Sequence, residues 1–186
     1  MLSYDEEQQL VREAKASLQA FSKLYQYYLP RIYAYTLNRT GDPKVAEDLT
    51  SETFFKAMKG LNSFQMREYR FGSWLYKIAH NTIIDYQKKK REIIAEKLEA
   101  PSNESPSKEL EIQEANYEIR TVMQKLKKDY QEILALKFFE DLNNTEIAEI
   151  IGCNLNTLHV KIHRSLEAFR KKYLVLYPQK EVTLEL

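Results

Sequence analysis

The stretch that most limits how this chain can fold is residues 71–91, where apolar and polar side chains recur with the period of an α-helix. At about 3.6 residues per turn, one side of that helix forms an apolar stripe wide enough to pack on other helices. The residues of the stripe are Leu75, Ile78, Ala79, Thr82 and Tyr86. A helix with such a side belongs in a helical bundle.

The opposite side of this helix has a different chemistry. It carries Lys77, His80, Asn81, Gln87, Lys88 and Arg91, together with Tyr76 and Ile84. Cations bind phosphates, amides hydrogen-bond to base edges and rings stack on bases, so this face suits a nucleic acid. The alternative is a solvated face whose lysine-rich end only complements the helix dipole.

Composition favours helices in the rest of the chain as well. Among 186 residues there are only 4 Gly and 5 Pro, too few for the many tight turns of an all-β fold. With 44% hydrophobic residues, the chain can bury one moderate core or two small ones. The single cysteine, Cys153, excludes an internal disulfide and a multi-cysteine zinc cluster, and it fits a reducing compartment. We therefore expect an all-α intracellular protein.

The charge pattern and the terminus narrow the class further. The first ten residues are acidic and lack an apolar signal core, and no apolar run approaches the roughly 20 residues that span a bilayer. We therefore expect a soluble protein that is not exported. The net charge is only +1, but basic residues dominate residues 61–92 and acidic residues dominate residues 93–118. An acidic spacer is thus expected to separate basic modules.

Two further helices are predicted before residue 62. Along residues 13–38, an apolar stripe recurs at steps of three or four residues: Leu18, Phe21, Tyr25, Tyr28, Ile32 and Tyr35. Pro30 inside this pattern is expected to kink or restart the helix. Residues 40–43 form a turn, in which Asp42 is the expected N-cap and Pro43 the first helical residue. The core stripe of the second helix is Ala46, Leu49, Thr53, Ala57 and Leu61.

The other face of this second helix carries Asp48, Ser51, Glu52, Phe55 and Lys59. Phe55 is thus an aromatic residue placed among charges on a side that the pattern leaves exposed. An aromatic anchor of this kind indicates a protein partner with a basic surface. The alternative is that another helix covers Phe55.

A loop without a clear period, residues 62–70, follows this helix. It mixes aromatic rings with arginines: Phe64, Arg67, Tyr69 and Arg70. Next to a basic helix, such a loop can hold an unstacked base. It can equally be a loop that its aromatic residues pin to the core.

Composition indicates two domains. Residues 100–108 are polar and twice interrupted by proline, as expected of a flexible linker. We predict a first helical domain at residues 1–92, an acidic flexible linker at 93–115, a second helical domain at 116–174 and a tail at 175–186. Helical spacing resumes along residues 117–138 of the second domain.

The second domain contains the sharpest local signal, a helix-turn-helix pattern. Asn143 and Glu146 form a capping box, Gly152 ends a short helix whose buried residues are Ile147, Ala148 and Ile151, and Asn154 caps a longer helix. The longer helix has an apolar stripe: Leu155, Leu158, Ile162, Leu166, Phe169 and Tyr173. Facing away from it are Asn156, Thr157, Val160, Lys161 and Arg164, with His163 at the edge. This face suits the major groove, although any αα-hairpin can copy the spacing.

Taken together, the motifs resemble the extracytoplasmic-function (ECF) group of bacterial sigma-70 factors. Residues 46–61, AEDLTSETFFKAMKGL, resemble the polymerase-binding segment of the group. Residues 71–91, FGSWLYKIAHNTIIDYQKKKR, are similar to its minus-ten recognition helix, and residues 132–172 to its minus-thirty-five domain. The order of the three motifs, with a linker between, is more specific than any one of them. With no third domain between the motifs, the housekeeping type is not expected.

The resemblance implies roles for particular residues. Asp48, Ser51, Glu52 and Phe55 are expected to contact the clamp helices of the polymerase β′ subunit. Promoter opening at the minus-ten element is expected to use Phe64, Arg67, Tyr69, Trp74, Lys77, Asn81, Lys88 and Arg91. Minus-thirty-five recognition is expected to use Asn156, Thr157, Val160, Lys161, His163 and Arg164.

The chain departs from the family pattern in two places. Ser51 stands where the family usually has Gln, which weakens the expected polymerase contact. The usual turn, Pro-x-Gly-Thr-Val-Lys-Ser-Arg, is mostly replaced by Asn154, Asn156, Leu158, His159, Val160 and Lys161. The promoter sequence therefore does not follow from relatives.

The same resemblance implies partners and location. Core RNA polymerase, through its β′ clamp helices and β flap, promoter DNA and an anti-sigma factor are expected. No cofactor, metal or small-molecule substrate is expected. The protein is expected in the cytoplasm, at the nucleoid when active, or held at the membrane by an anti-sigma factor.

Two other functional classes are less consistent with the sequence. An enzyme would need convergent catalytic groups, but the three histidines are scattered and there is no Gly-rich phosphate loop or metal-ligand spacing. An ordinary helix-turn-helix regulator would bind duplex DNA without polymerase. The face that carries Asp48, Glu52 and Phe55 argues against that alternative.

Overall fold

A computed structural model of the protein describes residues 2–66, 70–97, 114–140 and 142–179. These residues form α-helices and contain no β-strand, so the all-α expectation is confirmed. The helices are α1 (Tyr4–Ala14), α2 (Leu18–Thr40), α3 (Pro43–Gly60), α4 (Phe71–Lys97), α5 (Glu114–Gln124), α6 (Lys128–Phe138), α7 (Asn144–Ile151) and α8 (Leu155–Leu176). The chain divides into two compact units, Met1–Pro106 and Ser107–Leu186.

Short polar side chains set where the helices of the first unit begin. Ser3 and Glu6 form a capping box at the start of α1, and Ser17 accepts a hydrogen bond from the Ala20 N–H at the start of α2. Asp42 Oδ1 accepts from the backbone N–H groups of Lys44 at 2.9 Å and of Val45 at 3.2 Å. The predicted turn and its N-cap are therefore confirmed.

The helix predicted along residues 13–38 is wrong in two respects. It is divided at residues 15–17 into α1 and α2, and Leu18, expected in the apolar stripe, is 77% exposed at the start of α2. Pro30 does not restart the helix, because α2 continues through it. Proline removes one N–H donor, which leaves the carbonyl of Gln26 without its intrahelical partner. Both residues are exposed, so water can serve that carbonyl.

The core of the first unit lies where α2 contacts α1, α3 and α4. The predicted stripe of α3, from Ala46 to Leu61, is buried as expected. Thr36 and Thr50 join α2 to α3 inside this core through their hydroxyl groups, at 2.8 Å. Leu24, Ile32, Leu75 and Ala79 are fully buried against them.

A buried carboxylate joins α1 to the start of α4. Glu7 is 0% exposed and accepts hydrogen bonds from the Tyr28 hydroxyl, from the Gly72 N–H at 3.0 Å and from Arg70 Nε at 3.1 Å. A carboxylate withdrawn from water is tolerated only when it is paired and hydrogen-bonded. Glu7 meets both conditions, with donors from three separate parts of the chain.

Gly72 is required by this arrangement. A Cβ built on Gly72 would lie 2.8 Å from the Tyr28 hydroxyl oxygen, closer than packed atoms approach. Any side chain there would push Tyr28 away from Glu7. The absence of a side chain lets the Gly72 N–H and the Tyr28 hydroxyl reach the same carboxylate.

The second unit packs α5, α6 and α7 against α8. Val122, Leu126, Leu134 and Phe169 form one buried cluster, and Leu136, Ile147 and Leu158 are also buried. The Tyr173 hydroxyl donates to Glu118 Oε2 at 2.8 Å and so links α8 to α5.

Two helices continue past the domain boundaries predicted from composition. Helix α4 reaches Lys97, beyond the predicted boundary at residue 92, and α8 reaches Leu176, beyond residue 174. The linker motif at residues 100–108 lies outside the described residues. The domain boundaries stay predictions.

The Tyr28 hydroxyl gives the first unit a specific pH dependence. Burial, and next the negative charge of Glu7, raise the pKa of Tyr28 far above the ordinary tyrosine value of about 10. The fold thus favours neutral Tyr28. Neutral Tyr28 contributes fully to the stability of the first unit below the pKa of an unfolded tyrosine, about 10. This contribution is lost as the pH rises above that value, towards the raised pKa of the folded state.

We expect Tyr28→Phe to lower the free energy of unfolding by about 1–3 kcal/mol near neutral pH, because Glu7 loses a donor. The difference between the wild type and the variant should shrink as the pH rises past about 10. Urea denaturation of both proteins across this range measures it. The two proteins differ only at residue 28, so a difference that stays constant with pH would contradict the assignment.

Candidate functional site

The exposed face of α3 is the first candidate surface. Asp48, Ser51 and Glu52 are exposed, and Phe55 is 52% exposed, so the described helices of the first unit leave its ring uncovered. Lys59 Nζ lies 4.3 Å from the centroid of the Phe55 ring, a cation–π contact. No described helix of the first unit covers Phe55, contrary to that alternative.

Lys56 ties this face to α4. Its Nζ lies 2.7 Å from Glu52 Oε1 and donates to Thr82 Oγ1 at 3.1 Å. The pair with Glu52 is half exposed, so its contribution to stability is small, on the order of 0–1 kcal/mol. Its structural effect is to link the Glu52 carboxylate, through Lys56, to Thr82 of α4.

The loop after α3 is held by aromatic packing where it begins. Phe64 is 8% exposed and stacks on Trp74 with ring centroids 4.5 Å apart, and both rings pack against Phe71. Phe64 therefore lies in the core, as in the interpretation that aromatic residues pin this loop. Arg67 and Tyr69 lie outside the described residues.

Trp74 is half-buried at the end of this stack. A Cβ on Gly60 would lie 3.1 Å from the indole Cζ2, so the ring fits closely against the end of α3. Arg70, which the sequence grouped with the loop aromatics, instead contacts Glu7 and donates through Nη2 to the Leu2 carbonyl at 2.8 Å.

Helix α4 presents a narrower polar face than the sequence predicts. Asn81, Lys88 and Arg91 are exposed, whereas Lys77 and His80 are half-buried. Tyr76 was placed on the polar side, and this is wrong, because it is 1% exposed and packs edge-on against Tyr35 at 5.3 Å. Helices α2 and α3 pack on α4 and α1 also contacts it, so α4 buries a wider arc than one stripe. Ile83, absent from the predicted stripe, is buried for the same reason.

The helix-turn-helix of the second unit forms as its local signals predict. Asn143 Oδ1 accepts from the Glu146 N–H at 2.9 Å, and Glu146 Oε2 accepts from the Asn143 N–H at 3.0 Å. Gly152 ends α7 with φ of 71°, the left-handed conformation that favours glycine. Asn154 Oδ1 then caps α8 by accepting from the Thr157 N–H at 2.8 Å.

Two residues of the predicted apolar pattern in this motif are placed differently. In α7, Ile151 was expected to be buried but is only partly so, and its neighbour Ile150 is buried instead. Leu155 is exposed at the first position of α8, where the helix has not yet reached the core. From Leu158 onward, the residues of the predicted apolar stripe of α8 are buried or partly buried, as expected.

The outer face of α8 is the third candidate surface. Asn156, Thr157, Val160, His163 and Arg164 are exposed, and Lys161 is half-buried. His163 Nδ1 lies 3.8 Å from Glu167 Oε2 one turn later. This face combines an amide, a hydroxyl, an apolar side chain and cations, a set that can contact both base edges and phosphates.

Two side-chain contacts of Asn144 in this motif could not be predicted from the sequence. Asn144 Oδ1 accepts from Lys137 Nζ at 2.9 Å, and its Nδ2 lies 3.1 Å from His159 Nε2. These contacts join α6, α7 and α8 beside the turn. Since the partners lie on different helices, helical periodicity does not reveal them.

The described residues also bear on other classes of site. No group of three His, Cys, Asp or Glu side chains among them is placed to hold a metal ion. No described helix is both long and apolar enough to cross a membrane.

Comparison with known proteins gives the two units a family. Residues 24–93 match the family model of sigma-70 region 2, and residues 117–169 match that of sigma-70 region 4. RNA polymerase sigma factor YlaC of Bacillus subtilis is 34% identical over 156 residues, which cover 80% of this chain and 88% of that protein. ECF RNA polymerase sigma factor SigW of the same organism is 29% identical over 171 residues, covering 85% and 91%.

A solved structure has the same fold. Sigma factor RpoE from Bartonella quintana, crystallised in complex with the anti-sigma factor NepR, superposes with a TM-score of 0.68 at 21% identity. The match covers 83% of this chain and 97% of that one.

Both matched models occur in the order that the motifs predict, and similarity to a sigma factor extends over most of the chain. Proteins of this family initiate transcription as subunits of RNA polymerase and are not enzymes. The chain therefore belongs to the ECF group of the sigma-70 family and is an alternative sigma factor.

Proposed function

We propose that this sigma factor binds core RNA polymerase through the exposed face of α3, opens the minus-ten element with α4 and the preceding loop, and recognises the minus-thirty-five element with α8. The observation that carries the proposal is the exposed strip on α3. The opposite side of that helix is buried throughout, so the strip is presented to a partner.

The polymerase surface consists of Asp48, Ser51, Glu52 and Phe55. Phe55 is the apolar anchor, and the carboxylates of Asp48 and Glu52 complement a basic surface on the β′ clamp helices. Ser51 is too short to replace the Gln usual in the family, so it adds little to this contact. For the β flap, the second unit offers Phe138 and Phe139, which are exposed at the end of α6.

The minus-ten surface combines rings, an amide and cations. Asn81 is exposed to hydrogen-bond with an unpaired base, and Lys77, Lys88 and Arg91 hold the strand through its phosphates. Trp74, Arg67 and Tyr69 complete the surface in this proposal. Phe64 contributes by supporting Trp74, because it can reach a base only by leaving its stack with that ring.

The minus-thirty-five surface is the outer face of α8. Asn156 and Lys161 contact base edges, Val160 contacts an apolar base edge such as a thymine methyl, and Arg164 binds phosphate. Thr157 and His163 add contacts to the sugar-phosphate backbone of the DNA. Asn144, which holds His159, keeps this helix at its angle to the rest of the motif.

An anti-sigma factor is part of the proposal. The RpoE of Bartonella quintana was solved with NepR, and CnrH was solved with the cytosolic domain of CnrY. By analogy, this chain is held inactive by such a partner, at the membrane if that partner is membrane-bound, and acts at the nucleoid once released. In this proposal residues 1–92 form the polymerase and minus-ten domain, and residues 116–174 the minus-thirty-five domain.

Phe55→Ala should weaken the binding of core polymerase by about 2 kcal/mol or more, roughly thirtyfold, because an interface anchor is lost. Glu52→Lys should act in the same direction by reversing a charge. Both variants should fail to make core polymerase start at defined sites in vitro. Titration of labelled core enzyme and run-off transcription measure the two effects.

The matched control for this test is Leu18→Ala, which removes a more exposed apolar side chain from α2. It should bind core polymerase like the wild type. Wild-type affinity of both Phe55→Ala and Glu52→Lys would remove the basis for placing the polymerase on α3.

On α8, Arg164→Ala should weaken binding to all promoter sequences alike. Asn156→Ala and Lys161→Ala should instead relax the preference at particular positions, by about 1–3 kcal/mol each. Holoenzyme binding to a set of single-base promoter variants separates the two outcomes. Arg120→Ala, at an exposed arginine of α5, is the control. If the three variants keep the wild-type ranking of sequences, α8 is not the recognition helix.

A further inference from the structure

Helix α1 lies outside residues 24–93, the segment that matches sigma-70 region 2. We propose that α1 is a brace that holds both ends of the loop between α3 and α4, with Lys15 at the start of the loop and Glu7 at its end. This inference rests on the proposed function of that loop in promoter opening. Lys15 and Glu7 are then positioning residues, which do not themselves contact DNA.

Lys15 fastens the beginning of the loop. Its Nζ donates to the Phe64 carbonyl at 2.6 Å and lies 3.5 Å from the Asn62 carbonyl. The side chain crosses from the C-terminal end of α1 to backbone that is distant in sequence. The Phe64 ring stacks on Trp74, so the bond from Lys15 holds the backbone of a residue that supports Trp74.

Glu7 fastens the end of the loop. Its carboxylate accepts from Arg70 Nε and from the N–H of Gly72, the second residue of α4. The first N–H groups of a helix have no intrahelical acceptor, so a buried carboxylate there sets where the helix begins. Arg70 also binds the Leu2 carbonyl, which precedes α1. The loop is therefore joined to both ends of the α1 segment.

The spacing of these two contacts suits a rigid spacer. Glu7 and Lys15 are separated by roughly two turns of helix, about 12 Å along its axis. Helix α1 packs against α2 and contacts α4, so it does not move independently of the unit. Helix α4 also packs directly on α3, so α1 adds a second constraint on the points where the loop leaves α3 and enters α4.

A loop held at both ends loses less conformational freedom when it captures an unstacked base. That saving applies to strand opening and not to the contacts on α3 or α8. Loss of the brace should therefore slow opening while polymerase affinity stays unchanged. Lys15 is exposed, so its charge could instead bind a phosphate, and that alternative predicts a different dependence on salt.

The experiment uses holoenzyme assembled from core polymerase and full-length Lys15→Met, a change that keeps the aliphatic stem and removes the donor. We expect the rate of open-complex formation, followed by permanganate reactivity of unpaired thymines, to fall about three- to tenfold. Core affinity and the salt dependence of promoter binding should match the wild type. A premelted bubble template should restore the rate, and Lys15→Arg should restore part of it on duplex DNA.

Lys23→Met, at an exposed lysine of α2, is the matched control and should open promoters normally. Glu7→Gln should slow opening as Lys15→Met does, and thermal denaturation checks its fold. If Glu7→Gln does not fold, Lys15→Met alone decides. Normal opening by Lys15→Met, a smaller salt dependence, or a loss of polymerase affinity would each overturn the brace.

Replacement of the loop by Gly and Ser distinguishes failure of the brace from failure of the proposed function. If the loop-replaced protein opens promoters normally, the proposed role of the loop is wrong, and the brace fails with it. If loop replacement blocks opening while Lys15→Met opens normally, only the brace is wrong.

Discussion

The first unit depends on the buried carboxylate of Glu7. An isolated buried carboxylate would cost several kcal/mol, and this one is stabilised only because α2, the loop and α4 each supply a donor to it. The observed packing brings Tyr28, Arg70 and Gly72 to the same carboxylate. The same contact that makes the fold specific therefore also fixes the start of α4, the helix proposed to open the promoter.

Local signals were sufficient for much of the fold. Asp42 before Pro43, and Asn143 three residues before Glu146, identify helix starts because the capping bonds span only two or three residues. Gly152 identifies a helix end because the left-handed conformation that ends α7, with φ of 71°, belongs to a single residue and favours glycine. The break between α1 and α2 and the burial of Tyr76 were missed. Both depend on which helices pack together, which a single helical period does not contain.

The exposed faces of α3 and α8 could be predicted, since exposure follows from the side opposite an apolar stripe. The contacts that orient the sites could not be predicted in this way. Glu7 sits in an acidic N-terminal segment where a solvated glutamate is expected, and its partners are 21 to 65 residues away. Asn144 and His159 likewise meet across a turn. For Phe64, the sequence left open whether the ring binds a base or packs in the core, and only the structure shows that it stacks on Trp74.

Amide hydrogen exchange at Gly72 tests the central claim most directly. An N–H at the second position of a helix has no intrahelical acceptor and ordinarily exchanges fast. Lys44 is the matched amide, at the second position of α3, where the exposed side chain of Asp42 accepts its hydrogen bond. If Glu7 holds the start of α4, Gly72 should exchange as slowly as the core of the first unit and far more slowly than Lys44. Equal, fast exchange at both amides would contradict the account.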